Sequence, residues 1–240
     1  MLRGVNRHPE LAPEIRVARK AFTGILASVF LAAASAAPAK APTSWDGLTQ
    51  VPSKRLNLVY LQPGADFSGY TKVMIDTPEV AFQKNWRRDY NNTTRSPSQR
   101  VSESEIQDAV SQGVTAASDI FAQAWTKGGF TVVTTPAPDV LRIRVGIVNI
   151  RVTAPDQMDT GRSYSFASEA GSATLFIEAK DSMTGALLGR AVDQRLAGDN
   201  PTSWRTAMSN RADFRDLVQN WAAASVRGLN ELKARSPVKP

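Results

Sequence analysis

Apolar residues recur at helical spacing in two stretches of this chain and alternate with polar residues in several others. Ile106, Val110, Val114, Ala117, Phe121 and Trp125 fall three or four positions apart, which places them on one face of a helix. Ser102 with Glu105 three residues later is a capping box, and Gly128-Gly129 is a stop, so the pattern predicts a helix over Ser102–Lys127. A second stripe, Phe214, Val218, Trp221, Ser225 and Leu232, flanked by Leu217, Ala224 and Leu229, predicts a helix from about Arg211 to Ala234. Between them, Leu141, Ile143, Val145 and Ile147 alternate with Arg142, Arg144 and Gly146, the period of a half-buried strand. The apolar set then slips by one to Ile150 and Val152, which predicts a bulge near Val148-Asn149. Ala173, Leu175, Ile177 and Ala179 alternate in the same way. The turn cluster Asp181–Gly185 and a returning segment to Leu196 complete a hairpin. Shorter strands are expected at Leu56–Leu61, at Lys72–Phe82 with a break near Pro78, and at Phe130–Thr134. Asn85–Arg100, Ala154–Ser172 and Gly198–Asn210 read as loops.

The order strands, helix, strands, helix predicts an α+β fold. Two amphipathic helices need an apolar sheet face to cover, so a two-layer sandwich with a mostly antiparallel sheet is expected. Residues 45–235 are expected to form a single domain, with 38–44 a flexible lead-in and 236–240 a frayed tail.

Residues 1–37 have the make-up of a signal peptide with a long n-region. Arg16, Arg19 and Lys20 precede an uncharged run from Ala21 to Ala36 that ends in the small-residue triplet Ala34-Ser35-Ala36. Export to the periplasm or the outer envelope is the expectation, with no transmembrane span in the mature chain.

Composition removes whole classes of chemistry. The chain has no cysteine, which excludes disulfides, zinc–thiolate sites, iron–sulfur clusters and thiol nucleophiles. Its one histidine, His8, lies in the leader, so a histidine-dependent triad is excluded from the mature chain. The six basic and two acidic residues through Lys40 carry four of the seven net positive charges, so the chain beyond Lys40 has a net charge of only +3. A weakly basic exported chain is not expected to bind nucleic acid. No cofactor and no metal site is expected.

The segment from Pro63-Gly64-Ala65-Asp66 through Tyr70 to Asp76, with Val80-Ala81-Phe82 and Trp86 after it, resembles the bacterial family known as domain of unknown function 3313. So do the hairpin Ile177–Leu188 and the late Trp221-Ala222. The resemblance covers residues 45–234. It implies an exported, lipoprotein-like envelope protein with no assigned activity, although this chain lacks the lipid-bearing cysteine. It carries no catalytic residues.

The candidate chemistry is sparse. Asp159-Thr160-Gly161 spells an aspartic-protease triplet, but that reaction needs two such carboxylates and the chain has one copy. Ser236-Pro237-Val238-Lys239 has Ser-x-x-Lys spacing but lies in the tail. Asp66, Asp76, Glu79 and Asp89 cluster in sequence and are the candidates for a two-carboxylate glycan hydrolase. Lys84–Arg100 carries five basic residues against Asp89 alone, interleaved with Trp86 and Tyr90. Arginine forks bind phosphate and carboxylate, so Trp86, Arg87, Arg88 and Tyr90 are the candidate binding residues for an anionic envelope component or an envelope protein. The alternative for this segment is a solvated loop with Trp86 folded onto the core. Arg142 and Arg144 share a strand face, where pairing across strands with Glu178 or Asp193 is the ordinary fate.

No catalytic constellation is supported. The expected function is therefore a non-enzymatic binding or assembly accessory of the cell envelope. The alternatives are a carboxylate-based hydrolase of envelope glycans and a soluble small-molecule carrier, which needs an apolar cavity between sheet and helices.

Overall fold

The computed structural model describes residues 41–152, 171–197 and 207–239. The leader and Asp159-Thr160-Gly161 lie outside these residues. Among the described residues nine strands form one open, mostly antiparallel sheet: β1 (Ser44–Trp45), β2 (Leu48–Val51), β3 (Leu58–Leu61), β4 (Lys72–Ile75), β5 (Glu79–Phe82), β6 (Thr131–Val132), β7 (Val140–Val152), β8 (Gly171–Asp181) and β9 (Leu187–Ala197). The described helices are α1 (Trp86–Thr93), α2 (Glu103–Lys127) and α3 (Ala207–Arg235). The fold is thus mixed α+β.

The sheet order is β1-β2-β3-β9-β8-β7-β4-β6, with β5 also on β7. The long meander β7-β8-β9 is antiparallel, and Asp181–Gly185 makes its second turn. Asp181 shapes that turn by accepting from the Met183 N–H at 3.0 Å, the Thr184 N–H at 2.7 Å and the Thr184 hydroxyl at 2.8 Å. The register of β7 against β8 shifts between Val148 and Arg151, where Asn149 adopts φ 54°, so the expected bulge is present. The far edge of β7 is parallel: β4 pairs with its first half and β5 with its second. The break at Pro78 lets one run of chain supply both short strands.

Helix α2 begins on the expected capping box: the Glu105 N–H donates to Ser102 Oγ at 3.2 Å, and the Ser102 N–H donates to Glu105 Oε2 at 2.7 Å. It packs against β4, β5 and β6, and α3 packs against β9 and α2. Between helices and sheet lies a core built on Trp125, Trp221, Phe121, Phe67, Leu141, Ile143 and Leu175.

Three expectations need correction. Asn85–Arg100 is not a plain loop, because Trp86–Thr93 is helical. Ser44, expected in the lead-in, opens β1, and the turn Asp46-Gly47 (φ 52° and 81°) returns the chain into β2. The tail is tied down: the Val238 N–H donates to Ala65 O at 2.8 Å, the Gly64 N–H to Val238 O at 3.0 Å, and the Phe67 N–H to Ser236 Oγ at 2.9 Å. That last bond also occupies the serine of the Ser-x-x-Lys spacing.

Candidate functional site

The candidate binding residues Trp86, Arg87, Arg88 and Tyr90 stand together on α1. Trp86 is 8% exposed and sits in an aromatic ladder, 5.0 Å from the Phe82 ring and 5.5 Å from the stacked Tyr90 ring. On α1 Arg87 is half-buried and Arg88 exposed. Arg87 pairs with Glu103 at 2.8 Å and Arg88 with its neighbour Asp89 at 3.0 Å. Each arginine thus has a carboxylate partner, and of the two rings Trp86 is buried and Tyr90 half-buried.

The acidic candidates, by contrast, are divided. Asp66 accepts from the Ser68 N–H at 2.8 Å as a turn former, and hydrogen bonds from Ser68 hold its carboxyl below the usual range. Asp76 faces Arg142 at 2.9 Å, and Glu79 faces Arg144 at 3.3 Å. These pairs continue across the sheet: Arg144 to Glu178 at 3.7 Å, Lys180 to Glu178 at 3.1 Å, Glu178 to Arg190 at 2.7 Å and Arg190 to Asp46 at 2.8 Å. The Arg190 guanidinium also lies 4.1 Å from the centre of the Trp45 ring. Burial pushes the Glu178 carboxyl up, but hydrogen bonds from Arg190 and Lys180 outweigh it and hold the group below its ordinary value. Among the described residues no cluster of three or more His, Cys, Asp or Glu fits a metal ion.

What the fold does build is a cavity of about 630 Å³ between α3 and the sheet. Leu61, Phe67, Leu141, Ile143, Ile177 and Leu229 give it an apolar interior. Trp125, 1% exposed, borders it. Gly228 of α3 also lines it, and a Cβ on Gly228 would meet nothing within 4 Å, so the helix leaves space open there. The volume lies inside the roughly 300–1,000 Å³ range of small-molecule sites. Its exposed lining is polar and carries Ser53, Lys54, Glu231 and Arg235, with Arg55 half-buried beside them. Arg55 Nη2 binds Glu231 Oε1, and that hydrogen bond holds the Glu231 carboxyl below its ordinary range. Arg55 Nε is buried with no hydrogen-bond partner.

A second apolar cavity, about 520 Å³, lies between α2, β5 and the start of α3. Trp86 and Phe82 form part of its wall, and its lining carboxylate, Glu105, is the one used by the capping box.

The sequence pattern does not announce the first cavity, because its mouth joins Lys54 and Arg55 to residues some 180 positions later. One signal was present. Gly228 interrupts the apolar stripe of an otherwise strong helix, a position that costs stability unless something needs the room.

The comparisons agree with the family resemblance. A family model described as protein of unknown function (DUF3313) matches residues 37–225, so this chain belongs to that family. No curated protein matches it. Among solved structures it is similar to the PelC dodecamer from Paraburkholderia phytofirmans at 13% identity, covering 69% of this chain and 94% of that one, with a TM-score of 0.35. It is similar to protein XCC0632 from Xanthomonas campestris, a DUF330 protein, at 11% identity, covering 72% and 88%, with a TM-score of 0.38. A hemagglutinin homolog from Helicobacter pylori is similar at 8% identity, covering 72% and 92%, with a TM-score of 0.30. Likenesses of this size carry no argument about activity or assembly.

Proposed function

We propose that this chain is an exported, envelope-associated binding protein without catalytic activity, and that it holds a small apolar molecule in the cavity between α3 and the sheet. In this reading α2 and α3 form one layer and the sheet the other, and the cavity is the space they leave between them. The observation that carries it is the cavity itself: an apolar interior of ligand size, kept open by a glycine where the helix stripe calls for a side chain. Among the described residues no helix is long and apolar enough to cross a membrane.

A glycan hydrolase is less well supported. That reaction needs two carboxyl groups roughly 5–9.5 Å apart on either side of the scissile bond. The cavity is lined by one carboxylate, Glu231, already bound to Arg55, and the acidic candidates from the sequence answer to separate partners.

The test is titration of the purified mature chain with the uncharged fluorophore N-phenyl-1-naphthylamine, beside Gly228→Trp. Saturable binding to the natural chain, lost in the folded variant, is expected. Binding that survives the variant would place the ligand elsewhere, and no binding at all would remove the carrier reading. Fractionation of cells with amino-terminal sequencing of the product tests export, the expected product lacking residues 1–37.

A further inference from the structure

We infer that the natural occupant of this cavity is an amphiphile with an apolar chain and an anionic head, a carboxylate or phosphate, held at the mouth by Lys54, Arg55 and Arg235. The inference rests on the cavity being a binding site.

Its warrant is the contrast between interior and mouth. The buried polar residues of the lining, Ser225 and Arg190, are already engaged, Ser225 Oγ donating to Trp221 O at 2.8 Å and Arg190 pairing with Glu178 and Asp46, so orientation has to come from the rim. Apart from the buried Arg190, three cations, Lys54, Arg55 and Arg235, line that rim against the single lining carboxylate of Glu231. Arg227, on the same helix, adds to the field that lowers the Glu231 carboxyl. Among the described residues Lys54 is exposed and forms no ion pair, whereas Arg235, like Arg227, acts on the Glu231 carboxylate, so Lys54 is the rim cation left without a carboxylate. Arg55 supplies the directional element. A guanidinium has five donors in a planar fork, and here one nitrogen is spent on Glu231 while Nε is buried without an acceptor. A buried donor left unmade is costly, and an oxygen of an entering head would complete it. Carboxylate and phosphate both match the guanidinium fork, whereas a cationic head would meet the surplus positive charge.

The test uses displacement of bound N-phenyl-1-naphthylamine by three amphiphiles of equal chain length: dodecanoate, dodecyl phosphate and dodecyltrimethylammonium. Both anions are expected to displace the probe at concentrations roughly tenfold below the cation, and added salt narrows the gap. The exposed Lys54→Glu change, and Lys54→Gln as a milder one, should shrink or reverse the preference, read within each variant as the ratio of the anion and cation displacement concentrations. Equal displacement by anion and cation, with the probe still bound, overturns the anionic head and leaves the cavity reading standing. Failure of the probe to bind a folded protein overturns the cavity reading and this inference with it. A difference between dodecanoate and dodecyl phosphate assigns the head.

Discussion

The indole Nε1 of Trp221 donates to Asp193 Oδ2 at 2.7 Å, and this bond ties α3 to β9 beneath the cavity. The same carboxylate, 2% exposed, accepts from the Asn57 N–H at 2.8 Å and from Arg195 Nε at 2.6 Å. Arg195 Nη2 reaches on to Arg55 O at 2.8 Å. One buried acid therefore fixes both walls of the cavity: the 52–57 loop that carries Lys54 and Arg55, and the helix that carries Gly228 and Arg235.

Replacing Asp193 by alanine leaves three donors, one of them charged, without an acceptor. Removing one partner of a buried ion pair costs about 3–5 kcal/mol, and the half-exposed Arg195 puts this site near the lower end. Trp221→Phe keeps the ring and removes a single donor, for a smaller loss of roughly 1–2 kcal/mol. Urea midpoints should rank natural chain, Trp221→Phe and Asp193→Ala in that order. Equal midpoints for the first and last would show that this network does not hold the walls.

Two glycines with very different surroundings, Gly228 and Gly171, should respond to alanine with opposite signs. Gly228 lies in the interior of α3, and the space where a Cβ would stand is open, so Gly228→Ala should stabilise by up to about 1 kcal/mol. Gly171 sits at φ 150°, and a Cβ there would lie 1.9 Å from Arg151 O. Gly171→Ala should lose more than about 1 kcal/mol, because backbone has to move. Thermal melts of the two variants read the signs directly.

The long elements were legible from periodicity, since α2, α3 and β7-β8-β9 each bury one regular face. The capping box at Ser102 and the slip at Val148-Asn149 mark particular backbone events and could be placed to within a residue. The β1–β2 hairpin left a signal as well: Asp46-Gly47 between Trp45 and Leu48 is a strong two-residue turn motif, easily passed over because β1 has only two residues. Helix α1 left none. Only Trp86 on it is buried, and Asn85 at its start is left-handed with no side-chain cap, so stacking on Phe82 rather than local propensity places it. The parallel pairing of β4 and β5 with β7 and the cavity mouth both depend on distant residues meeting, which no local pattern encodes.

Trp86 and its neighbouring arginines make a direct contrast between packing and surface charge. Trp86→Ala opens a hole beside Phe82 and Tyr90 and should cost about 3–5 kcal/mol. Arg87 and Arg88 hold exposed ion pairs, worth roughly 0–1 kcal/mol each, so the double alanine variant should melt close to the natural chain. A large loss in the double variant would mean that α1 depends on its charges more than on its ring.

The pH profile follows from which groups the fold has shifted. Asp181 is held below the usual carboxylate range by the Thr184 N–H and hydroxyl and by the Tyr70 hydroxyl, which donates to it at 2.8 Å. Glu178, Glu105, Asp139 and Glu231 are lowered too. A depressed folded-state value means that the stabilisation is complete above the unfolded value, near 4, and is lost as pH falls through the lower folded value. Tyr70 is shifted the other way, first by burial and then by Asp181, so its share is complete below about pH 10 and is lost as pH rises beyond that. His8, the single histidine, lies outside the described residues, and the shifts named above all act below about pH 5 or above about pH 10. Urea midpoints should therefore be flat between about pH 5 and 8, fall below about pH 4 and fall again above about pH 10. Tyr70→Phe should lessen both falls, because it removes the phenol and one donor to Asp181. A midpoint that drops between pH 6 and 7 instead would show that some other group governs the acid limit.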